Sequence, residues 1–79
     1  MEITVKNLKI SESAAVKKVL GSGAVRRRLL DMGITPGAVI TMIKTAPLGD
    51  PIEIKVRNYQ LSIRKAEADL IIVEKGGGD

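Results

Sequence analysis

The sequence contains no cysteine and no histidine. Without thiols the chain can form neither a disulfide framework nor a thiolate centre, and without imidazole it lacks the other side chain that transition metals prefer. The same absence removes cysteine as a nucleophile and histidine as a base, and no G-x-S-x-G motif is present. The glycine-rich segment Gly21–Gly23 is not followed by the lysine and serine or threonine of a phosphate-binding loop. We therefore predict a protein that is not an enzyme, holds no metal and uses no cofactor.

Aromatic residues are almost absent as well, because Tyr59 is the only one and neither phenylalanine nor tryptophan occurs. Proteins that bind single-stranded nucleic acid stack the bases on aromatic side chains, so the composition argues against a specific nucleic-acid partner. No apolar run approaches the roughly 20 residues of a membrane span. The segment Met1–Ile10 carries charges where a signal peptide would be apolar. We expect a cytoplasmic protein that does not insert directly into a membrane.

The charge is moderately positive, since 13 lysines and arginines against 9 acidic residues give a net charge of +4. Such a balance suits an acidic protein, a nucleic acid or an anionic membrane surface as partner, and it also occurs in small domains for solubility alone. A chain of 79 residues provides for one small domain. We predict that residues 1–75 form this domain and that the glycine-rich residues 76–79 form a flexible tail.

Alternating apolar and polar residues predict a β-hairpin in the second half of the chain. The alternation runs through Ile52–Val56, continues in Tyr59–Ile63 and turns at Asn58, a residue type that tolerates positive φ. The further strands that β-branched or continuous apolar runs predict are Ser13–Leu20, Val39–Thr45 and Leu70–Val73. Five short strands fit a small closed barrel, because two full sheets would need a longer chain.

One helix is predicted at Ala24–Met32, where Gly21–Gly23 and Gly33 supply the flanking breaks. A shorter helical turn is predicted at Lys65–Asp69. Successive residues turn by about 100° on a helix, so apolar residues three and four apart share one side. The residues that form such a stripe, and that we expect to be buried, are Val25, Leu29 and Met32.

Three consecutive arginines, Arg26–Arg28, lie at intervals of about 100° around this helix and are not gathered on one face. A phosphate grip would favour spacings of three and four residues, which bring guanidinium groups together. Asp31 is expected beside Arg27, where it would neutralise part of the run. Leu30 lies away from the apolar stripe, so it either packs under the following loop or stays exposed among the charges. These features predict a helix that faces a protein.

Two motifs of the sequence resemble a known family. The segment RRRLLDMGITPG, Arg26–Gly37, is followed by APLGDPIEIKVRNYQLSIRKAEADLIIVE, Ala46–Glu74. Together they resemble the FeoA family, small cytoplasmic proteins that accompany bacterial ferrous iron uptake, and the resemblance begins at Leu8. It implies a mainly β fold, a small SH3-like barrel of five to six strands with one short inserted α-helix at about residues 24–32.

Two positions depart from the family pattern. Ile10–Ser11 stands where Pro-Gly is usual in the first turn, so the first ten residues are the part of the fold that the resemblance predicts least. Asn58 replaces the commoner glycine in the hairpin, a mild change because asparagine tolerates left-handed backbone geometry.

The resemblance also implies a function as a non-catalytic adaptor that contacts the cytoplasmic part of the FeoB transporter, a membrane protein with a cytoplasmic G-protein domain. Two segments are expected to bind this partner, because a barrel alone does not require their polar or exposed side chains. Their residues are Arg26, Arg27, Arg28, Leu30 and Asp31 in the helix and Leu48, Gly49 and Asp50 in the loop before the hairpin.

Alternatives to the adaptor stay open. A free-standing regulatory module of the same fold would be similar to the C-terminal domain of iron-dependent repressors, and a nucleic-acid-binding module would use the positive charge. An exposed barrel edge can also pair with a second copy of the chain, which would give a weak homodimer.

Overall fold

The computed structural model describes residues 1–75, so the tail expected at residues 76–79 lies outside the described residues. The strands are β1 Glu2–Thr4, β2 Ser13–Val19, β3 Val39–Thr45, β4 Ile52–Val56, β5 Tyr59–Ile63 and β6 Ile71–Glu74. The helical segments are a 3₁₀ turn at Val5–Asn7, α1 at Gly23–Asp31 and α2 at Lys65–Ala68. The predicted mainly β class with one short inserted helix is confirmed, and α1 begins and ends one residue earlier than expected.

All six strands belong to one antiparallel sheet with the order β1-β6-β2-β3-β4-β5. The register shifts between Val16 and Lys18 in β2 and between Met42 and Lys44 in β3, and such irregularities bend a sheet. Within residues 1–75 the edge strands β1 and β5 do not pair with each other, so the sheet curls without closing. The expected closure is therefore wrong, because β1 ends after 3 residues and runs into the 3₁₀ turn.

The hairpin predicted from the alternating residues is confirmed. Alternate residues of Ile52–Val56 are buried in the core, and the register pairs Val56 with Tyr59, so only Arg57 and Asn58 form the turn. Both turn residues have positive φ, 50° and 73° respectively. This is the geometry of a two-residue type I′ turn, whose twist matches that of the flanking strands. The sequence predicted the role of Asn58 but not that of Arg57.

Helix α1 contacts the core through Leu29, which is fully buried, while Leu30 and Met32 pack partly against it. Val25 is 40% exposed, so the predicted buried stripe is wrong at its first residue. The buried side lies between Leu29 and Leu30, about 90° around the helix from Val25. The reason is that only the C-terminal half of this short helix lies against the sheet, and residues 23–28 are all exposed.

The turn before β2 contains a strained residue. Ser11 has a φ of 73°, a left-handed conformation that glycine adopts without steric cost. Its N–H donates to the carbonyl oxygen of Met42 at 2.7 Å, which ties the turn to β3. The turn at Ile10–Ser11 therefore keeps a positive-φ geometry even though it carries a side chain. Val5 and Leu8, just before it, are both buried in the core.

Candidate partner-binding surface

The three arginines of α1 have different surroundings. The Arg26 side chain donates from Nε to the carbonyl oxygen of Val19, at the end of β2, over 3.1 Å. The Arg28 guanidinium forms an ion pair with Glu67 of α2. Arg27 forms no side-chain hydrogen bond or ion pair with any other residue of the described part of the chain, and it is exposed. Arg27 is therefore the arginine of the run that is available to a partner without breaking an existing contact.

Glu67 is the carboxylate that the fold buries, with 7% of its surface exposed. One of its oxygens, Oε1, accepts the N–H of Arg64 at 2.8 Å and so caps the first turn of α2. The other oxygen, Oε2, contacts the Arg28 guanidinium. The buried charge is thus paired and hydrogen-bonded, as burial of a charge requires. The pair joins α2 to α1.

The loop between β3 and β4 presents an apolar side chain to solvent. Leu48 at its tip is 94% exposed. Two backbone bonds fix the loop, because Gly49 N–H donates to Ala46 at 2.7 Å and Ala46 N–H donates to Pro51 at 3.0 Å. Gly49 has a φ of 85°, which a residue with a side chain adopts only with strain. The exposed leucine therefore sits on a turn that its backbone holds in place.

Helix α2 links this loop to the arginine helix. The Asp50 carboxylate accepts the N–H of Lys65, the first residue of α2, at 3.0 Å, and Glu67 holds Arg28. Two residues of a helix are only about 3 Å apart along its axis. The fold thus brings together the two segments that the sequence predicted to bind a partner, and it gives Arg28 and Asp50 structural contacts as well.

Two further residues of the predicted set lie on the second half of α1. Leu30 is half-buried and packs against the core, which decides between the two positions that its helix angle allowed. Asp31 is exposed, and within residues 1–75 it forms no ion pair with Arg27, so the expected neutralisation does not occur. Asp31 and Arg27 therefore stay two separate charges on the exposed side of the helix.

The hairpin turn holds the end of α1, which the sequence did not predict. Arg57 donates from Nε to the carbonyl oxygen of Gly33 at 3.1 Å and from Nη2 to Thr35 Oγ1 at 2.7 Å. The Tyr59 hydroxyl donates to the carbonyl oxygen of Met32. The bonds to Met32 and Gly33 satisfy carbonyl groups just after the end of the helix, and the bond to Thr35 holds the loop that follows. No local sequence pattern predicts these contacts, because they join segments that are far apart in the chain.

Among residues 1–75, no three histidine, cysteine, aspartate or glutamate side chains lie close enough to hold a metal ion. The described helices are all too short or too polar to cross a bilayer.

The family comparison covers nearly the whole domain. The model of the FeoA domain matches residues 3–75 of this chain. A curated relative, the Fe(2+) transport protein A/Fe(2+) transporter FeoB fusion protein of Porphyromonas gingivalis, is 37% identical over 67 residues. That alignment spans 85% of this chain but 8% of the fusion protein. The chain therefore corresponds to a small part of that relative.

Solved structures share the fold. The FeoA-like protein from Clostridium acetobutylicum superposes with a TM-score of 0.87 at 39% identity, over 94% of this chain and 86% of that one. A second, from Stenotrophomonas maltophilia, is a FeoA complexed with zinc and described as a prokaryotic SH3 domain protein. It superposes with a TM-score of 0.80 at 28% identity, over 91% of this chain and 89% of that one. The SH3-like fold that the resemblance implied is confirmed.

The fold also occurs in a manganese-dependent transcriptional repressor, which superposes with a TM-score of 0.85 at 10% identity, over 95% of this chain and 42% of that one. IdeR of T. acidophilum superposes with a TM-score of 0.82 over 95% of this chain and 34% of that one. The identity is 17%, so the likeness concerns the fold alone.

Proposed function

Because this chain belongs to the FeoA domain family, we propose that it acts as a non-catalytic accessory protein of bacterial ferrous iron uptake. It does so in the cytoplasm, by binding the cytoplasmic part of a FeoB-like transporter, for which iron is the cargo. The protein itself contributes a binding surface and no reaction step.

The fusion protein of P. gingivalis supports this partner. In that relative, a region similar to this chain and a FeoB transporter are parts of one polypeptide. Fusion keeps two domains at a high effective concentration, which is useful when the two act on each other. Where two such domains are not covalently joined, a binding surface is needed to give the same proximity.

The observation that carries the location of this surface is the linkage through α2. Asp50 and Glu67 attach the Leu48 loop and α1 to the same short helix. An exposed leucine and an unpaired arginine on fixed backbone have the composition of contact residues, since apolar area and forked hydrogen bonds are the main sources of interface energy. Arg27 and Leu48 are the proposed direct contacts.

The other predicted residues support these two. Arg26, Arg28 and Asp50 keep the surface in shape through the contacts described above, and Gly49 sets the direction of the loop. Leu30 and Asp31 border Arg27 on the helix, where they extend the surface toward the end of α1.

Retention of the transporter on the immobilised protein tests the proposal. Wild-type protein should retain a FeoB-like transporter from detergent-solubilised membranes, whereas Arg27→Glu and Leu48→Glu should each lower retention at least tenfold. Neither change removes a described contact, so both variants should unfold at the wild-type temperature. Lys17→Glu, which changes the charge on β2 by as much as Arg27→Glu changes it on α1, is the matched control and should retain the transporter normally.

Equal retention by all variants would show that the transporter binds elsewhere on the protein. If wild-type protein retains no transporter, the proposed function is wrong. The regulatory module is the second candidate, because the fold is shared with a manganese-dependent transcriptional repressor. It would gain support if the isolated chain bound one DNA or RNA sequence in preference to others, where we expect only weak binding that salt abolishes.

A further inference from the structure

Strand β5 leaves one side of its backbone unpaired. It is the last strand of the sheet, and within residues 1–75 it pairs with β4 alone. In a two-residue hairpin the residues flanking the turn exchange hydrogen bonds, here Val56 with Tyr59. The bonds then recur at every second residue of β5, so the backbone groups of Gln60 and Ser62 point away from β4. Both residues are exposed, and no hydrogen bond engages their backbone groups in the described chain.

This edge has none of the features that protect most edge strands. Natural edges carry a charge, a proline or a bulge, which discourages pairing with other chains. The five residues of Tyr59–Ile63 contain no charge and no proline, and their register with β4 is regular. The opposite edge is better protected, because β1 has 3 residues and includes Glu2.

The structure also limits the length of the open edge. The next outward N–H along the chain belongs to Arg64, and the Glu67 carboxylate already occupies it at 2.8 Å. At the other end the strand stops at the turn of Arg57 and Asn58. Two donors and two acceptors, within about 7 Å of strand, are therefore free.

The charges around the edge select its occupant. Lys55 lies directly across from Gln60, and Arg64 and Lys65 follow the strand; all three side chains are exposed. An open groove of about 380 Å³ next to the turn is lined partly by Lys55 and Arg57, and by no carboxylate. The acidic residue that faces Ser62 across the hairpin is Glu53, and it lies 3.9 Å from Lys44.

We propose that the free edge of β5, at Gln60 and Ser62, binds an extended segment with acidic side chains, which adds a seventh strand to the sheet. Main-chain hydrogen bonds would hold this segment, and the surrounding lysines and arginines would select for its charge. This segment belongs to the cytoplasmic part of the transporter, an assignment that rests on the proposed function.

A second copy of the chain is the less suitable occupant. Two antiparallel β5 strands that exchange bonds between Gln60 and Ser62 would bring Arg57, in the turn of one copy, towards Lys65, at the start of α2 in the other. Like charges that approach each other repel, which disfavours this arrangement. Self-association is therefore an outcome that would contradict the proposal.

Proline at position 62 tests the edge in the full chain. The N–H of Ser62 faces away from β4, and proline is tolerated on that side of an edge strand, so Ser62→Pro should fold. Retention of the transporter should fall at least tenfold, while the matched variant Ser62→Thr, which keeps the N–H, should retain it normally. A folded Ser62→Pro variant that retains the transporter as well as wild type would overturn the inference while leaving the proposed function intact.

Amide hydrogen exchange of the wild-type protein tests the edge without any variant and without the transporter. The probe is a synthetic peptide of alternating valine and threonine with two glutamates at each end. It should slow exchange of the Gln60 and Ser62 amides, whereas a peptide with lysines at its ends should not. Unchanged exchange with the acidic peptide would overturn the edge site, as would concentration-dependent protection of these amides in the protein alone. Protection by the peptide in a protein that retains no transporter would contradict the proposed function only.

Discussion

Arg28 of α1 and Glu67 of α2 form an ion pair in which the carboxylate is buried and the guanidinium is half in solvent. The pair is the side-chain link between the two helices that carry or support the proposed contact residues. Its two partners do not contribute equally to stability, because one of them also caps a helix.

The first prediction concerns this pair. Arg28→Ala should lower the free energy of unfolding by about 1 kcal/mol, since its side chain is 55% exposed and solvent screens the charge. Glu67→Ala should cost about 1–3 kcal/mol, because the partly buried N–H of Arg64 loses its acceptor as well. Urea unfolding of both single variants and the double variant should give a coupling of about 0.5–1.5 kcal/mol.

A matched control for this cycle exists on the sheet. Lys44 and Glu53 lie 3.9 Å apart with side chains 66% and 37% exposed. Their coupling should stay below about 0.5 kcal/mol. Equal coupling in the two pairs would mean that burial of Glu67 adds nothing to its interaction with Arg28.

The second prediction concerns the left-handed residue before β2. Ser11→Gly should raise the free energy of unfolding by about 0.5–1 kcal/mol, because relief of the side-chain strain exceeds the extra freedom that glycine gains in the unfolded chain. Ser62→Gly is the control, since Ser62 is not among the residues with positive φ; it should destabilise by about 0.5–1 kcal/mol. Thermal unfolding of both variants tests whether the two changes in stability have opposite directions. A loss of stability in Ser11→Gly would show that the backbone of Ser11 is not strained.

The third prediction concerns acid. The N–H of Lys9, 2.7 Å from the Glu12 carboxylate, and then the ammonium of Lys75, 2.9 Å away, hold the pKa of Glu12 below its ordinary value of 4.5. The unfolded chain therefore binds this proton more readily than the folded one, and stability rises with pH across that range. The contribution of Glu12 is present above pH 4.5 and is lost as the pH falls through the lowered pKa.

Glu12→Gln should therefore lose stability at neutral pH and approach the wild type as the solution is acidified. Glu2→Gln, which replaces an exposed carboxylate of β1, should change stability little at either pH. Urea midpoints at pH 7 and pH 3 measure the difference in stability between Glu12→Gln and wild type. If this difference is the same at both pH values, the protonation of Glu12 is not linked to folding.

The fourth prediction concerns the cargo of the proposed partner. The isolated protein should bind Fe(II) no more tightly than about 100 μM, because oxygen ligands in small number give weak sites and the chain has no imidazole or thiolate. Anaerobic calorimetry with metal-free protein tests this, with Mg²⁺ as the control ion. A stoichiometric micromolar site would mean that the protein handles iron directly.

The strands were more predictable than the helix, for a physical reason. In Ile52–Val56 one face of the strand is buried along its length, so the alternation of residues reports the environment directly. In Tyr59–Ile63 the same face passes from exposed Tyr59 to buried Ile63, so there the alternation predicted the strand but overstated its burial. Val39–Thr45 was predicted to the residue. In α1 the core touches only the second half, and a pattern of nine residues cannot show which half that is.

The side-chain contacts of the candidate surface could not be predicted from the sequence. The Arg28–Glu67 and Arg57–Gly33 contacts join residues on different elements, and neither pair has a spacing that a local rule could use. Exposure of Leu48 followed from its position in a loop with two prolines. Which arginine stays free for a partner could be learned only once the fold had placed Val19 beside Arg26.

The contact between Gly33 and the hairpin turn restricts how the sequence can drift over evolutionary time. Gly33 has a φ of 92°, and a Cβ built on it would lie 3.2 Å from Cδ of Arg57. A side chain at position 33 would therefore be strained by the left-handed backbone and would also crowd Arg57. Loss of the arginine would relieve the crowding but not the backbone strain, so glycine should persist at position 33 among related chains whatever residue stands at position 57.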